Sequence, residues 1–337
     1  MRNLSVLLLC GSMISSAYAI DSIPQESGFS GFVNIGAGAA NIESNTLAKT
    51  LFGSVDLGDN NLDSLYQSPD SETTVIPVVG LEVAYTFAST RTQVFMGNQL
   101  EDYLRFDFAT RAGIRQEIGK AGVLGLNLLQ SPIATEVWED PFVTDSGRIS
   151  TDRTSSGYRL IWDKIFGTEL QLRYSAKEVD IDDERSGQAE GLSPEERSLL
   201  NRNGDINRFY AEYTFNWSNN QHRLTPSIAY ADQDLDGAAV AYDSLSLSVN
   251  YIYLVNRWRY VINGSYADNK FNEENPVYGQ KADSQRYGGS FTVFYYQPFA
   301  WKDWLVNAGI VWFEEDSDIN FYDSSAQSLS IGMLRRF

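Results

Sequence analysis

The chain of 337 residues has only one cysteine, Cys10, and one histidine, His222. A single cysteine excludes disulfide scaffolds, cysteine-based zinc sites and iron–sulfur centres. Hydrolases that move protons near neutral pH commonly rely on an imidazole. His222 falls in a predicted turn among small amides, with no carboxylate nearby in the sequence. We interpret it as a solvated turn residue and expect no enzymatic activity.

Positive charge is also scarce. Lys+Arg 26 against Asp+Glu 44 gives a formal net charge of -18, which disfavours nucleic acid as a partner. There are only 9 prolines, whereas aromatic residues make up 13% of the chain, a usage typical of strand-rich proteins. Beyond the N-terminal segment, no stretch reaches the roughly 18 apolar residues that a spanning helix requires.

The first 19 residues are typical of a cleaved secretory signal peptide. Arg2 provides the charged start, residues 4–14 the short apolar run, and residues 17–19 the small-x-small cleavage site. The cysteine would leave with this peptide. We expect residues 20–337 to form one domain that is secreted, periplasmic, or embedded in the outer membrane as a barrel.

Apolar residues recur at every second position in segment after segment, which is the pattern of β-strands. One face of these segments carries almost no charge, with Arg335 as the exception, while the other face carries small polar residues such as Ser244, Ser246 and Ser248. A soluble surface would be richer in Lys and Glu. Aromatic residues also cluster at the strand ends, as in the girdles of transmembrane barrels. The two faces therefore indicate a barrel with lipid outside and a polar lumen inside.

The connections between these strands alternate in length, as an up-and-down barrel requires. With a tight hairpin at residues 99–101, they predict about fourteen strands, and twelve or sixteen remain possible. Pro77 and Pro226 lie inside predicted strands, where a bulge or a strand end is expected because proline removes a ladder donor. The short connections, predicted to face the periplasm, are residues 88–91, 116–121, 165–168, 218–221 and 254–256. The long, mostly acidic connections, predicted to be extracellular, are residues 43–73, 131–153, 179–205, 232–241, 267–285 and 314–323.

The last segment, residues 328–337, has apolar residues at alternate positions and ends in an aromatic residue. It resembles the final strand of bacterial outer-membrane barrels, which the barrel assembly machinery reads, although Arg335 stands where an apolar residue is usual. Over its whole length the chain resembles an uncharacterised family of proteobacterial outer-membrane proteins. The resemblance implies an outer-membrane location and a barrel fold, and no activity. The residues that carry the terminal signal are Leu329, Ile331, Met333 and Phe337.

Charged side chains on the polar face point into the predicted lumen, where basic residues outnumber acidic ones. If this wall governs permeation, anions should pass at least as well as cations. If the acidic outer loops govern it, cations should be preferred, and paired wall charges of alternating sign would contribute little net field. The residues predicted to face the lumen are Arg105, Asp107, Arg111, Arg159, Arg173, Lys177, Glu212 and Arg259.

One short motif matches the ligand order of a calcium-binding loop, with Asp at positions 1, 3 and 5, Gly at position 6 and Asp at position 12. Its flanks alternate as strands rather than forming helices, and an external hairpin is commonly acidic. Both a calcium site and a solvated acidic loop therefore remain open. The candidate ligands are Asp232, Asp234, Asp236 and Asp243.

We predict an all-β, antiparallel outer-membrane barrel, monomeric or weakly associating, whose partners are outer-membrane lipid, lipopolysaccharide and the assembly machinery. A barrel near fourteen strands is wider than the eight-stranded kind and narrower than porins of sixteen to eighteen strands. One interpretation is a porin-like passive channel for small hydrophilic solutes. The alternative is a non-conducting surface barrel whose acidic loops bind divalent cations, lipopolysaccharide or another cell.

The predicted orientation can be tested by labelling. Cysteines placed at Asp183 and Asp234 should react with an impermeant reagent on intact cells, because both lie in predicted outer loops. A cysteine at Asn219, in a predicted periplasmic turn, should not react. The purified protein should also show heat-dependent gel mobility. Equal labelling at all three positions would contradict this orientation.

Overall fold

The computed structural model describes residues 23–50, 55–102, 107–144 and 146–337. The predicted signal peptide, residues 1–19, lies outside them. Among the described residues, no helix is long and apolar enough to cross a membrane. The strands are β1 Gly28–Glu43, β2 Leu47–Thr50, β3 Val55–Asp56, β4 Ser71–Phe87, β5 Thr92–Asp102, β6 Asp107–Glu117, β7 Val123–Gln130, β8 Thr135–Trp138, β9 Ser150–Asp163, β10 Leu170–Ile181, β11 Gly204–Tyr213, β12 Phe215–Trp217, β13 His222–Leu235, β14 Tyr242–Val255, β15 Trp258–Phe271, β16 Ser284–Tyr296, β17 Trp304–Ser317 and β18 Ser324–Arg336.

The sheet closes on itself as an antiparallel barrel of fourteen strands, which confirms the predicted fold class. Its wall consists of β1, β4 to β7, β9 to β11 and β13 to β18, and β12 continues the line of β11. Closure comes from β1, which pairs with β4 on one side and with β18 on the other. The short strands β2, β3 and β8 belong to the long connections, where β2 pairs with both β3 and β8.

The two faces of each strand differ in chemistry because successive side chains point to opposite sides of a sheet. Along β14, Leu245, Leu247 and Val249 are exposed on the outside of the barrel. Ser246 and Ser248 alternate with them on the inside, where they are half-buried. The outer wall is therefore apolar over a broad band, and the lumen is polar.

Pro226 coincides with an interruption of the ladder, as expected from its missing N–H. The pairing of β11 with β13 ends at Glu212↔Ser227, and pairing resumes between β12 and β13 at Phe215↔Leu224. The register is the same before and after the gap. Proline here divides one long strand into β11 and β12 without shifting the neighbouring pairs.

Pro77 lies in a similar interruption between β4 and β5. Among the described residues, the pairing of these strands runs from Phe87 only as far as Glu82. Beyond that point the side chain of Asn98 replaces the ladder. Its Oδ1 accepts from the N–H of Leu81 at 2.6 Å, and its Nδ2 donates to the carbonyl of Val79 at 3.0 Å. The amide thus satisfies backbone groups that an apolar surrounding would leave unpaired.

The hairpin predicted at residues 99–101 is wrong. β5 continues through Asp102, which pairs with Asp107 at the start of β6. The connection between β5 and β6 therefore lies within residues 103–106, which are outside the described residues. Residues 99–101 contain no Gly, Pro or Asn to favour a turn, so strand pairing extends through them.

The connections gather by length at opposite ends of the barrel. The short turns and the paired ends of β1 and β18 lie at one end, which we call the turn end. The other end, the loop end, carries the long connections. The connection at 182–203 contains the one α-helix of the described residues, α1 Pro194–Ser198, which starts at the capping box of Ser193 and Glu196. The six long connections are residues 44–70, 131–149, 182–203, 236–241, 272–283 and 318–323.

Replacing Asn98 with Leu should destabilise the barrel, because the Leu81 N–H and the Val79 carbonyl would lose their partners. We expect a loss of about 2 kcal/mol in the free energy of unfolding, measured by urea titration in lipid vesicles with heat-dependent gel mobility as the readout. The control is Met96→Leu, at the neighbouring exposed position of the same strand, which should have little effect. Equal stability of both variants would show that the amide does not replace the ladder.

Candidate functional site

Basic side chains outnumber acidic ones on the inner wall of the barrel. Of the predicted lumen residues, Arg111, Arg159, Arg173, Lys177, Glu212 and Arg259 lie on inward-facing strand positions. Arg105 lies outside the described residues, and for Asp107 only the backbone is described. The other inward-facing charges are Arg115, Arg153, Arg208, Arg223, Arg286 and Arg336, with Glu72, Glu82, Glu117, Asp163 and Glu315.

Several of these charges are not among the lumen residues predicted from the sequence, although the alternation along the strands could have found them. Arg115 has the same parity as Arg111 on β6, and Arg208 has the same parity as Glu212 on β11. The sequence pattern alone places Arg115 at the uncertain end of a strand. Only the observed register shows that the strand continues through it.

Four of the basic residues form a cluster on three adjacent strands. The ladders place Arg159 of β9 and Arg208 of β11 on either side of Ser175 of β10. Neighbouring strands lie about 4.8 Å apart, so the backbones of these two arginines are separated by roughly 10 Å. Arg173 and Lys177 flank Ser175 by two residues on the same face of β10. We call Arg159, Arg173, Lys177 and Arg208 the basic cluster.

The ring of Tyr210 and the carboxylate of Glu212 hold the turn-end side of the basic cluster. The guanidinium of Arg173 lies 3.7 Å from the centroid of the Tyr210 ring. Its Nη2 is 3.7 Å from Oε2 of Glu212, which also accepts a 2.7 Å hydrogen bond from the Tyr210 hydroxyl. Arg159 donates from Nε to Ser175 Oγ at 2.8 Å. These contacts hold Arg173 and Arg159 against the wall of β9 to β11.

A second stack of cations lies on β6. The guanidiniums of Arg111 and Arg115 both lie over the Phe95 ring, 5.4 and 5.7 Å from its centroid. Gly113 faces this ring in the ladder, and a Cβ at Gly113 would lie 2.8 Å from Phe95 Cζ. Arg111 also pairs with Glu82. The glycine therefore gives the ring the space that positions both arginines.

The opposite wall of the lumen carries a row of amides and hydroxyls between its charged residues. Asn250 donates to Asn263 at 2.6 Å, and Asn263 donates to Ser290 at 2.9 Å. Asn307 donates to Asn34 at 2.8 Å across the closing strands. A solute in the lumen would meet a basic arc on one side and an arc of amides and hydroxyls on the other.

The turn end of the lumen is lined by apolar side chains on β14 to β18. Inward-facing residues of β14 to β18 pack there as one buried cluster, with the Tyr296 ring beside it. The guanidiniums of Arg259 and Arg336 lie 5.5 and 5.8 Å from the centroid of that ring. The cluster consists of Ile252, Val261, Phe294, Leu305 and Leu334.

At the loop end, the long connections fold together over the mouth of the barrel. Residues from all six of them share one buried apolar cluster, in which Phe142 stacks on Phe321 with ring centroids 5.2 Å apart. We call this assembly the loop cap. Apolar residues scattered among the acids of these connections pack against one another, which the acidic composition does not reveal. The buried members are Leu62, Leu65, Phe142, Leu200, Ala239, Ala282, Ile319 and Phe321.

Arg148 ties two connections of the loop cap together. Its guanidinium donates to the carbonyls of Asn45, at 2.7 Å, and of Asp59, and lies 4.5 Å from the centroid of the Trp138 ring. Burial lowers the pKa of Arg148 to about 10, an effect that the nearby carboxylate of Asp59 partly opposes. The guanidinium is still charged at neutral pH, and the carbonyl oxygens replace the water that it loses.

Asp140 orders the connection at 182–203. Its carboxylate accepts from the N–H groups of Phe142, Gly187 and Ala189 at 3.1, 3.0 and 2.7 Å. Arg202 adds an ion pair with Glu184 at 2.6 Å and donates to the carbonyl of Trp138. Through these bonds, the connection at 182–203 is joined to the connection at 131–149 within the loop cap.

Below the loop cap, the short strands fill the upper lumen with apolar side chains. Leu47 of β2, Val55 of β3 and Val137 of β8 are buried against the inward-facing Ile42 and Ile181 of the wall. The polar part of the lumen therefore lies between apolar clusters at both ends.

The candidate calcium ligands do not form a loop. Strand β13 continues through Leu235, and Asp232 and Asp234 lie on its outward face, with Asp232 opposite Asp243 of β14. Asp236 accepts a 3.2 Å hydrogen bond from Asn201. The described part of the chain contains no group of three or more His, Cys, Asp or Glu residues that could hold a metal ion.

His222 is not the solvated turn residue that its neighbours suggested. It begins β13 and stacks on Trp217 with ring centroids 5.2 Å apart, and on Tyr253 at 4.7 Å. Its Nδ1 lies 2.7 Å from the Tyr251 hydroxyl. The imidazole is thus part of the aromatic girdle at the turn end, where it packs between rings and shares a hydrogen bond with a phenol hydroxyl.

The residues of the predicted terminal signal lie on the outer face of β18. Leu329 and Ile331 are exposed there, and Met333 shares their parity. The backbone of Phe337 exchanges two hydrogen bonds with Gly31 of β1. Recognition of this strand by the assembly machinery stays a prediction.

The closed ladder, the apolar outer band and the aromatic girdle define an outer-membrane type of β-barrel. Residues 28–335 match the model of a family described as "Protein of unknown function (DUF2860)", and the chain belongs to this family. No curated protein matches the sequence.

Several solved barrels are similar to this chain. An anion-selective porin from Comamonas acidovorans is 9% identical with a TM-score of 0.42, and the match covers 93% of this chain and 100% of that one. The outer membrane channel DcaP of Acinetobacter baumannii is 9% identical, with a TM-score of 0.45 and coverage of 93% and 97%. A mutant of the TodX monoaromatic hydrocarbon channel is 10% identical, with a TM-score of 0.49 and coverage of 92% and 90%. The anion selectivity and the hydrocarbon channel activity in these descriptions are properties of the similar proteins.

Replacing Phe142 with Ala should loosen the loop cap while the barrel stays folded. Removing a buried phenyl ring costs about 3–5 kcal/mol, so residues 136–149 and 318–323 should lose hydrogen-exchange protection and become sensitive to protease. Tyr66→Ala is the control, because Tyr66 belongs to the same cap but is 72% exposed. Unchanged protection in the Phe142 variant would contradict a cap held by this cluster.

Proposed function

We propose that the protein is an outer-membrane channel for small hydrophilic solutes and that its lumen prefers anions. The basic cluster in a polar lumen is the observation that carries this proposal. Fixed charges on the wall of a narrow passage act on a solute at close range and are poorly screened. Arg159 and Arg208 would therefore attract carboxylates, phosphates or inorganic anions.

The negative charge of the whole chain does not oppose this preference. Carboxylates such as Asp183, Asp234 and Asp316 are exposed at or near the loop end, where a Debye length of about 8 Å at physiological salt limits their reach. Lumen charges lie between walls of lower dielectric constant. The wall should therefore decide which ions pass.

The loop cap gives the channel a closed outer mouth. Apolar clusters at both ends of the lumen are costly to hydrate, so we infer that this conformation passes little and that the cap must move before solutes enter. In Phe142→Ala the weakened cap should raise the mean conductance above that of the wild-type protein.

The cap also favours a second candidate function. A set of connections with its own buried core presents a fixed outer surface, as a protein that binds another molecule outside the cell would need. In that case the barrel is only an anchor. Absence of conductance in both the wild-type protein and Phe142→Ala would favour this function over the channel.

Selectivity can be tested with charge reversals in the basic cluster. In planar bilayers with a salt gradient, the wild-type reversal potential should indicate anion preference. Lys177→Glu with Arg208→Glu should shift it toward cation preference, since two positive charges become negative. The matched control is Lys281→Glu, in an exposed position of the loop cap. A wild-type channel that prefers cations at low salt, and loses this preference at high salt, would overturn the proposal.

A further inference from the structure

An apolar groove lies on the outer wall near the turn end. It is lined by the small outward-facing side chains of Val293, Val306 and Ala308 and by larger rings. The groove has a volume of about 510 Å³, within the roughly 300–1,000 Å³ usual for small-molecule sites. The flanking rings are those of Trp258, Tyr295 and Phe299.

A strained turn forms one side of the groove. Between β16 and β17, Gln297, Phe299, Ala300 and Asp303 all have positive φ values, of 53°, 54°, 62° and 66°. Bulky residues rarely adopt this conformation. The turn is held by the Gln297 N–H, which donates to the carbonyl of Trp304 at 2.8 Å. It keeps the Phe299 ring 81% exposed beside the groove.

A cation lies near the groove, on the strand that pairs with the one carrying Val306 and Ala308. Arg335, the one charge on the apolar face of the sequence pattern, is opposite Trp304 in the ladder and lies 5.8 Å from that ring's centroid. Val306 follows Trp304 by two residues, about 7 Å along the strand. Lys302, in the strained turn, adds a second exposed positive charge. Positive charge next to an apolar groove complements a phosphate joined to an acyl chain.

We propose that this groove binds one phospholipid of the periplasmic leaflet, with an acyl chain over Ala308 and the phosphate at Arg335 and Lys302. The proposal uses the membrane orientation proposed above but not the channel activity. It gives a role to the charge on the apolar face of β18, which lies beside the groove.

The experiment measures lipid retained by the purified protein. Native mass spectrometry from a non-ionic detergent, with added phosphatidylglycerol or phosphatidylethanolamine, should show one bound phospholipid per chain. A diacylglycerol with the same acyl chains but no phosphate should be retained at least tenfold less, because charge-assisted bonds are lost. Arg335→Gln with Lys302→Gln should weaken phospholipid retention by a similar factor.

Filling the groove provides the decisive variant. Ala308→Trp should abolish retention, while Ala112→Trp, an exposed alanine at a similar depth on β6, should leave it unchanged. Heat-dependent gel mobility reports whether each variant folds. If Ala308→Trp does not fold, Phe299→Ala should weaken retention and Phe166→Ala, an exposed phenylalanine in another turn, should not.

Three results would overturn the proposal. They are equal retention by the Ala308 and Ala112 variants, equal retention of diacylglycerol and phospholipid, and a second copy of the chain on the groove in place of lipid. Conductance of the same preparations is measured separately, so a failed lipid site and a failed channel can be told apart.

Discussion

Every backbone N–H and C=O group in the apolar band must find a partner within the protein, because lipid offers none. The ladder from β1 round to β18 meets this requirement by closing, and no edge remains between those strands. Two interruptions of this ladder lie among the described residues. Pro226 stands where the ladder pauses, and Asn98 supplies amide groups where β4 and β5 part. Side chains thus complete the pairing where the backbone does not.

Closure of the sheet also separates the lumen wall from the outer surface of the barrel, so the two can differ in charge although the net charge of the chain does not show it. The chain has a net charge of -18, yet among the described residues the lumen wall carries more bases than acids. Alternation accounts for the difference, since a strand can carry lipid-facing Leu172 and lumen-facing Arg173 in succession. The basic cluster requires three adjacent strands in a particular register. That register brings Arg159 and Arg208 to the same Ser175, although they are 49 residues apart in the sequence.

The loop cap depends on a different principle. Its apolar residues are too far apart in sequence to produce any periodic signal, and acidic neighbours hide them. Phe142 and Phe321 become neighbours because the barrel brings their connections to the same end. Once they are there, burying a few rings stabilises the cap, and the buried Arg148 and Asp140 are satisfied by backbone groups. The lumen below is therefore covered by a packed structure that the acidic composition of the connections does not reveal.

The sequence by itself determined the architecture, because the period of two, the girdle residues and the alternation of connection lengths are local signals that a barrel requires. It also determined the inward face of Arg111, Arg173 and Lys177, since parity along one strand suffices. Only the tertiary structure decided that β5 continues to Asp102, that His222 stacks within a girdle, and that Asp232 and Asp234 lie on an outer wall rather than in a calcium loop. Strand register, loop packing and the groove over Ala308 arise from contacts between distant residues, and no local pattern encodes such contacts.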